Sequence, residues 1–139
     1  MHELEFLPRL LVAFVVGGVI GAERQRRGKP AGLRTHVLVA TASAVLMSLA
    51  ELLHEAIPTG TSDPARIAQG VLAGIGFIGA GTIIRQGDVV IGLTTAGTIW
   101  MAAALGLAAG AGFYVLALSG MALSLLAINV LGRLDRWLD

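Results

Sequence analysis

The chain has 139 residues, of which 55% are hydrophobic and only 14% are charged, and its formal net charge is +1. A soluble domain carries about 25% charged residues, so this composition favours an integral membrane protein. The chain contains no cysteine, which excludes a disulfide framework and a thiolate metal site, and we expect no nucleic-acid partner.

Apolar runs along the chain predict an all-α bundle of transmembrane helices. The longest run without a charge covers residues 89–132, and as one helix it would be roughly 66 Å long, about twice the hydrocarbon thickness. It must therefore fold back, and the sequence GLAAGAG at 106–112 is the expected turn. Residues 1–139 are thus predicted to form one domain of five spans, near 5–23, 35–54, 64–85, 91–108 and 112–133. The N-terminus lacks the basic region and cleavage site of a signal peptide, so the first span should be retained.

The connection between the first two spans is strongly basic. It reads ERQRRGKPAGLRTH at 23–36 and holds five of the ten Lys and Arg residues. Because short basic loops favour the cytoplasmic side, the N-terminus is predicted outside and the C-terminus in the cytoplasm. The connection at 51–63, which has acidic residues and no Lys or Arg, then lies outside. Orientation alone would explain the charge of the basic loop.

The third predicted span is rich in glycine and opens with Asp63 as a cap before Pro64. Small residues four apart let two helix backbones approach closely in a membrane. Similar pairs occur at Gly17–Gly21, Gly92–Ala96 and Gly106–Gly110, so a tight bundle packed through Gly and Ala faces is expected, which self-associates, most simply as a dimer. A glycine-rich helix that unwinds within a transporter core is the alternative. The glycines assigned to helix packing are Gly70, Gly74, Gly76, Gly79 and Gly81.

Two groups of polar residues are candidates for a functional site. On the predicted topology, the basic loop and the start of the fourth span both reach the cytoplasmic half of the membrane. The residues expected to converge there are Glu23, Arg24, Lys29, Arg34, Thr35, His36, Thr94 and Thr95. Such a cationic, hydroxyl-lined pocket suits phosphate, lipid headgroups or an acidic partner surface. A second polar group begins the third span, where Asp63 can pair with Arg66, followed by Gln69.

Three segments resemble the MgtC/SapB family of bacterial inner-membrane proteins. They are ERQRRGKPAGLRTH at 23–36, DPARIAQGVLAGIGFIGAG at 63–81 and GLTTAGTIWMAAALGLAAGAGFY at 92–114. The resemblance implies a five-helix domain with an outside N-terminus, in a family that includes a virulence-associated member. Two departures are expected to matter: Gln69 follows Arg66 by three residues rather than four, and the virulence-associated member continues into a soluble domain beyond its fifth span.

The resemblance also implies a link to magnesium limitation, and two functions compete. One is a non-enzymatic regulator that acts through another membrane protein, such as the F-type ATP synthase; the other is a transporter or channel for magnesium or another small ion. Mg²⁺ usually binds through carboxylates and water, and the predicted apolar cores contain no Asp or Glu. No cofactor is therefore predicted, and the regulator is favoured. The sequence also shows no nucleophile–base pair, so an enzyme is not expected.

Overall fold

The structure, a computed structural model, describes residues 2–57 and 63–138 and is mainly helical. After a 3-10 turn at His2–Glu5, the helices are α1 (Phe6–Arg26), α2 (Leu33–Ala56), α3 (Pro64–Ala80), α4 (Leu93–Gly110), α5 (Tyr114–Leu126) and α6 (Gly132–Leu138). A π-helical segment, Ala127–Leu131, joins α5 to α6. The predicted all-α bundle is confirmed, apart from a small two-stranded sheet of β1 (Ile84–Gln86) and β2 (Val89–Ile91).

Four helices are long and apolar enough to cross a membrane. They are α1, α2, α4 and the continuous helical stretch Tyr114–Leu138. Many of their large apolar side chains are exposed, as expected for surfaces that face lipid. The chain is therefore a multi-pass membrane protein. Helix α3 has 17 residues, about 26 Å, which is at the lower limit for a span.

Helix α4 is the centre of the bundle, because it contacts α1, α2, α3 and α5. Its buried face meets α2 through a cluster that includes Ala40, Ile99 and Ala103. On its other side, Leu105 packs with Val16 and Ile20 of α1. Small residues dominate this core, so the helices can lie close together.

The third helix is shorter than predicted. It begins where the sequence indicated, with Asp63 accepting a hydrogen bond from the Ala65 N–H (2.9 Å). It ends at Ala80 rather than near residue 85, and the chain turns into the β1–β2 hairpin instead. Gly87 at the hairpin turn has a positive φ of 63°, and the β-branched residues after it favour a strand.

The turn between the fourth and fifth helices is also shorter than predicted. Helix α4 continues through most of GLAAGAG and stops at Gly110, so only residues 111–113 connect it to α5. Gly106 and Gly110 of this sequence pack against α2 from inside the helix, whereas Gly112, with a φ of 81°, lies in the turn. At the connection between the second and third helices, α2 continues to Ala56, and residues 58–62 lie outside the described residues.

Candidate functional site

The end of α1 fixes the position of the basic loop. Gly28 has a φ of 63°, and its N–H donates to the Gln25 carbonyl (3.0 Å), while the Lys29 N–H donates to the Arg24 carbonyl (3.1 Å). This pair of bonds is a Schellman motif, which requires a left-handed residue that glycine supplies without strain. The Gln25 side-chain oxygen accepts from the N–H of Leu33, the first residue of α2 (3.1 Å). The loop is therefore held at both ends.

A cavity of about 1180 Å³ opens beside this loop. It lies where α1 ends and α4 begins, and the hairpin and the last helical turns also contribute residues to its wall. The charged side chains in its wall are Glu23, Arg24, Arg26, Arg27, Lys29 and Arg136. Five basic residues thus face one acidic residue, so the cavity is electropositive. Thr94 and Thr95 add hydroxyls, and Ile84, Val90 and Ile91 of the hairpin add an apolar wall.

The acidic residue of the cavity is already paired. Glu23 Oε1 lies 2.7 Å from Arg27 Nε, and Glu23 Oε2 lies 3.1 Å from Arg24 Nε. Arg27 is also fixed from the far end of the chain, because its Nη2 donates to Asn129 Oδ1 (2.7 Å) in the π-helical segment. The Glu23 carboxylate therefore compensates two guanidinium groups at once.

Arg24 is the least exposed charged residue of the cavity wall, with 2% of its surface accessible. Its Nε is close to Glu23, but the contact lacks hydrogen-bond geometry, and Nη1 has no hydrogen-bonding partner among the described residues. A buried guanidinium with free donors is costly unless something accepts from it. Arg24 therefore leaves donor capacity available in the wall of the cavity.

The start of α4 adds backbone donors to the same wall. The first N–H groups of a helix have no partner within the helix, and Gly92 at the cap position has no side chain to accept from them. Gly92 has a φ of 94°, and a Cβ there would lie 1.9 Å from the Thr82 carbonyl oxygen. Only glycine fits at this junction, so the first turn of α4 stays uncapped beside the cavity.

The structure brings together five of the eight residues that the sequence placed in this site. Glu23, Arg24, Lys29, Thr94 and Thr95 line the cavity. The other three do not, because α2 begins at Leu33 and carries them away on its first turn. Arg34 is exposed, Thr35 is half-buried, and His36 is buried between helices. Arg26, Arg27 and Arg136 join the site, and the position of Arg136 could not be read from the sequence because its helix is 100 residues further along.

The second polar group stays at the start of α3. Asp63, Arg66 and Gln69 are exposed, and within the described chain no ion pair joins Asp63 to Arg66. Asp63 acts instead as the helix cap. Another polar contact lies at the opposite end of the bundle, and the sequence did not predict it. Arg9 of α1 forms an ion pair there with Glu51 of α2, and Arg9 Nη1 also donates to the Gly110 carbonyl (3.0 Å).

The glycines assigned to packing behave differently from one another. Gly79 is buried, and a Cβ there would lie 3.6 Å from Ala96 of α4. Gly81 follows the last residue of α3 and serves as its C-cap. Gly70, Gly74 and Gly76 have no neighbour within 4 Å of an added Cβ among the described residues, so their packing role stays a prediction.

Comparison with known proteins agrees with the family resemblance. The sequence pattern of the MgtC family matches residues 10–137. This chain belongs to the MgtC family. YhiD of Escherichia coli strain K12, named as a candidate magnesium transporter, is 44% identical over 135 residues, which are 94% of this chain and 62% of YhiD. The protein MgtC of Salmonella typhimurium strain LT2 is 43% identical over 133 residues, 96% of this chain and 54% of MgtC.

A third relative, SrpB of Synechococcus elongatus, is 43% identical over 141 residues, covering 94% of this chain and 78% of SrpB. The chain thus spans about six tenths of YhiD and just over half of MgtC. No solved structure matches the chain.

Proposed function

We propose that this chain is the membrane domain of a non-enzymatic regulator that is linked to magnesium supply and acts through another membrane protein. The link to magnesium comes from the name of YhiD and from the resemblance to the family. The three relatives named above carry no enzyme name. The proposed partner is the F-type ATP synthase, which the family resemblance suggests.

The cavity chemistry is the observation that supports a regulator over a magnesium carrier. A Mg²⁺ ion needs oxygen ligands, usually one or two carboxylates with water, and it dehydrates reluctantly. Glu23 is the one carboxylate among the described residues that line the cavity, and it is paired with Arg24 and Arg27. Elsewhere in the described chain, no group of three His, Cys, Asp or Glu side chains could hold a metal ion. The cavity therefore does not fit Mg²⁺, whereas it fits an anionic partner.

The proposed setting is the bacterial inner membrane, with the cavity on the cytoplasmic side. The support is the charge distribution: the basic loop and Arg136 lie at one end of the bundle, and Glu51 at the other. Reporter fusions after residue 138 test this orientation, since active alkaline phosphatase there would contradict it. The exposed glycines of α3 support a proposed homodimer, and light scattering in detergent that shows only monomer would contradict it.

The regulatory role is tested by co-reconstitution with a purified F-type ATP synthase in liposomes. The expected result is a lower rate of ATP-driven proton pumping as this chain is added, with the rate restored for an Arg26→Gln/Lys29→Gln variant. Those two residues are exposed, so the variant should fold, and both line the cavity. Unchanged pumping at every ratio of the two proteins would contradict the proposed partner.

A further inference from the structure

We propose that the electropositive cavity is a binding site for a phosphate group, carried either by a soluble phosphate compound or by an anionic lipid headgroup. This inference deepens the proposed function, since both rest on the cationic character of the same cavity. It names the ligand chemistry that the cavity selects.

Arg24 is the central residue of this site. Its guanidinium is buried, its Nη1 has no hydrogen-bonding partner in the described chain, and the one nearby carboxylate is shared with Arg27. A guanidinium offers its donors in a planar fork that matches two oxygens of a phosphate. A phosphate in the cavity would supply the acceptors and the negative charge that Glu23 alone does not.

The surrounding groups extend the same chemistry. The uncapped first turn of α4 directs backbone N–H groups and a positive helix-dipole end toward an anion, and Thr94 adds a hydroxyl there. Lys29 and Arg136 contribute exposed cations from the loop and from α6. The buried donor, the helix terminus and the exposed cations together form a site that is selective for a multivalent anion over chloride.

The size of the cavity indicates more than a free phosphate ion. Its volume of about 1180 Å³ is slightly above the range of small-molecule pockets, roughly 300–1,000 Å³. Ile84, Val90 and Ile91 of the hairpin and Ile128 add apolar surface to the same cavity. A phosphate ester fits this combination of basic and apolar residues, with its phosphate at Arg24 and the remainder of the molecule against the hairpin.

The test is calorimetry on the purified full chain in dodecyl maltoside, a detergent without phosphate. One arm titrates inorganic phosphate, and a second titrates dioctanoyl phosphatidylglycerol, with dioctanoylglycerol as its phosphate-free control. Loss of a charge-assisted contact to phosphate should weaken binding about tenfold or more in Arg24→Gln. Arg34→Gln is the matched control, because Arg34 belongs to the same loop region but is exposed and outside the cavity wall.

A second variant covers the case in which Arg24→Gln does not fold. Lys29→Gln/Arg136→Gln changes two exposed residues of the wall and should also weaken binding, while Arg34→Gln changes it less than about twofold. Cavity-dependent binding of inorganic phosphate identifies a soluble source, and binding of phosphatidylglycerol alone identifies a lipid source.

Absence of binding in both arms would overturn the inference. Equal losses in the cavity variants and in Arg34→Gln would do the same, since they would indicate non-specific charge attraction. Neither result depends on the ATP synthase. The proton-pumping assay therefore tests the regulatory role independently of the phosphate site.

Discussion

Among individual residues, His36 shows how a side chain in the basic loop region becomes part of the core. It is fully buried, with Nδ1 2.8 Å from the Gly32 carbonyl oxygen and Nε2 3.0 Å from Thr98 Oγ1. The Thr98 hydroxyl in turn lies 2.8 Å from the Thr95 carbonyl oxygen. Because Thr98 belongs to α4, this contact joins the start of α2 to α4 just beneath the cavity.

Removing the Thr98 hydroxyl should weaken this link. Thr98→Val keeps the shape of the side chain but leaves His36 Nε2 without its buried partner, which costs about 1 kcal/mol, or roughly 2–4 °C in melting temperature. Melting can be followed by tryptophan fluorescence in detergent. Thr94→Val is the control, since Thr94 is exposed one turn earlier on α4 and this variant should melt like the original chain. Equal melting of all three proteins would show that the link contributes nothing.

The residues of the cavity were predictable only in part. Arg24, Lys29, Thr94 and Thr95 could be placed together, because the predicted order of the spans puts the end of the first and the start of the fourth on one side of the membrane. The burial of Arg24 and the exposure of Arg34 depend on where α1 ends and α2 begins. The Schellman motif at Gly28 fixes the end of α1. The charge pattern of the basic loop does not indicate where that end lies.

At the level of elements, helix α2 packs closely against glycines of its two neighbours, α1 and α4. A Cβ at Gly17 of α1 would lie 2.5 Å from the His36 carbonyl oxygen, and one at Gly106 of α4 would lie 2.2 Å from the Ala40 carbonyl oxygen. One turn further along, a Cβ at Gly21 would lie 2.8 Å from Leu33 Cα, and one at Gly110 would lie 2.6 Å from the Ala44 carbonyl oxygen. Two of the predicted small-residue pairs therefore pack the bundle as expected, and both pack on α2.

Adding one methyl group should separate these glycines into two classes. Gly106→Ala must push α2 and α4 apart, and overpacking of this kind costs about 1–3 kcal/mol. Gly97→Ala, on the exposed side of the same helix, meets no atom within 4 Å in the described chain and should keep or raise stability by about 0.5–1 kcal/mol through helix propensity. Unfolding in denaturing detergent measures both. A Gly106→Ala chain as stable as the original would contradict the close α2–α4 contact.

The sequence predicted the type of each long element but not every boundary. Apolar run length indicates a helix, and it located α1, α2 and α4 to within a few residues. Run length could not predict that α3 ends at Ala80, because many residues of the hairpin are as apolar as those of a helix. The end of α3 is set by Gly81 at its C-cap and by the turn at Gly87, whose backbone angles cannot be deduced from composition.

In the molecule as a whole, the charged residues of the described chain lie near the ends of the long helices and in the connections, outside the apolar middle of the bundle. At one end, Arg9 joins α1 to Glu51 of α2 and to the end of α4. At the other end lies the cavity, where basic residues outnumber the paired Glu23. Between them the core is made of Ala, Val, Ile, Leu and Gly, with hydrogen-bonded side chains of Ser43, Ser48, Thr98 and His36. A divalent cation that crossed this core would lose its water without gaining an anionic ligand, which is strongly unfavourable.

Magnesium flux through the reconstituted chain is the most direct test of this account. The purified protein is placed in liposomes that contain a magnesium-sensitive dye, and an inward Mg²⁺ gradient is imposed with and without an inside-negative membrane potential. A bacterial magnesium channel in parallel liposomes serves as the positive control. Dye signals equal to those of protein-free liposomes are predicted under both conditions. Protein-dependent Mg²⁺ entry that is lost in Glu23→Gln would contradict the regulator and identify a carrier that uses the cavity.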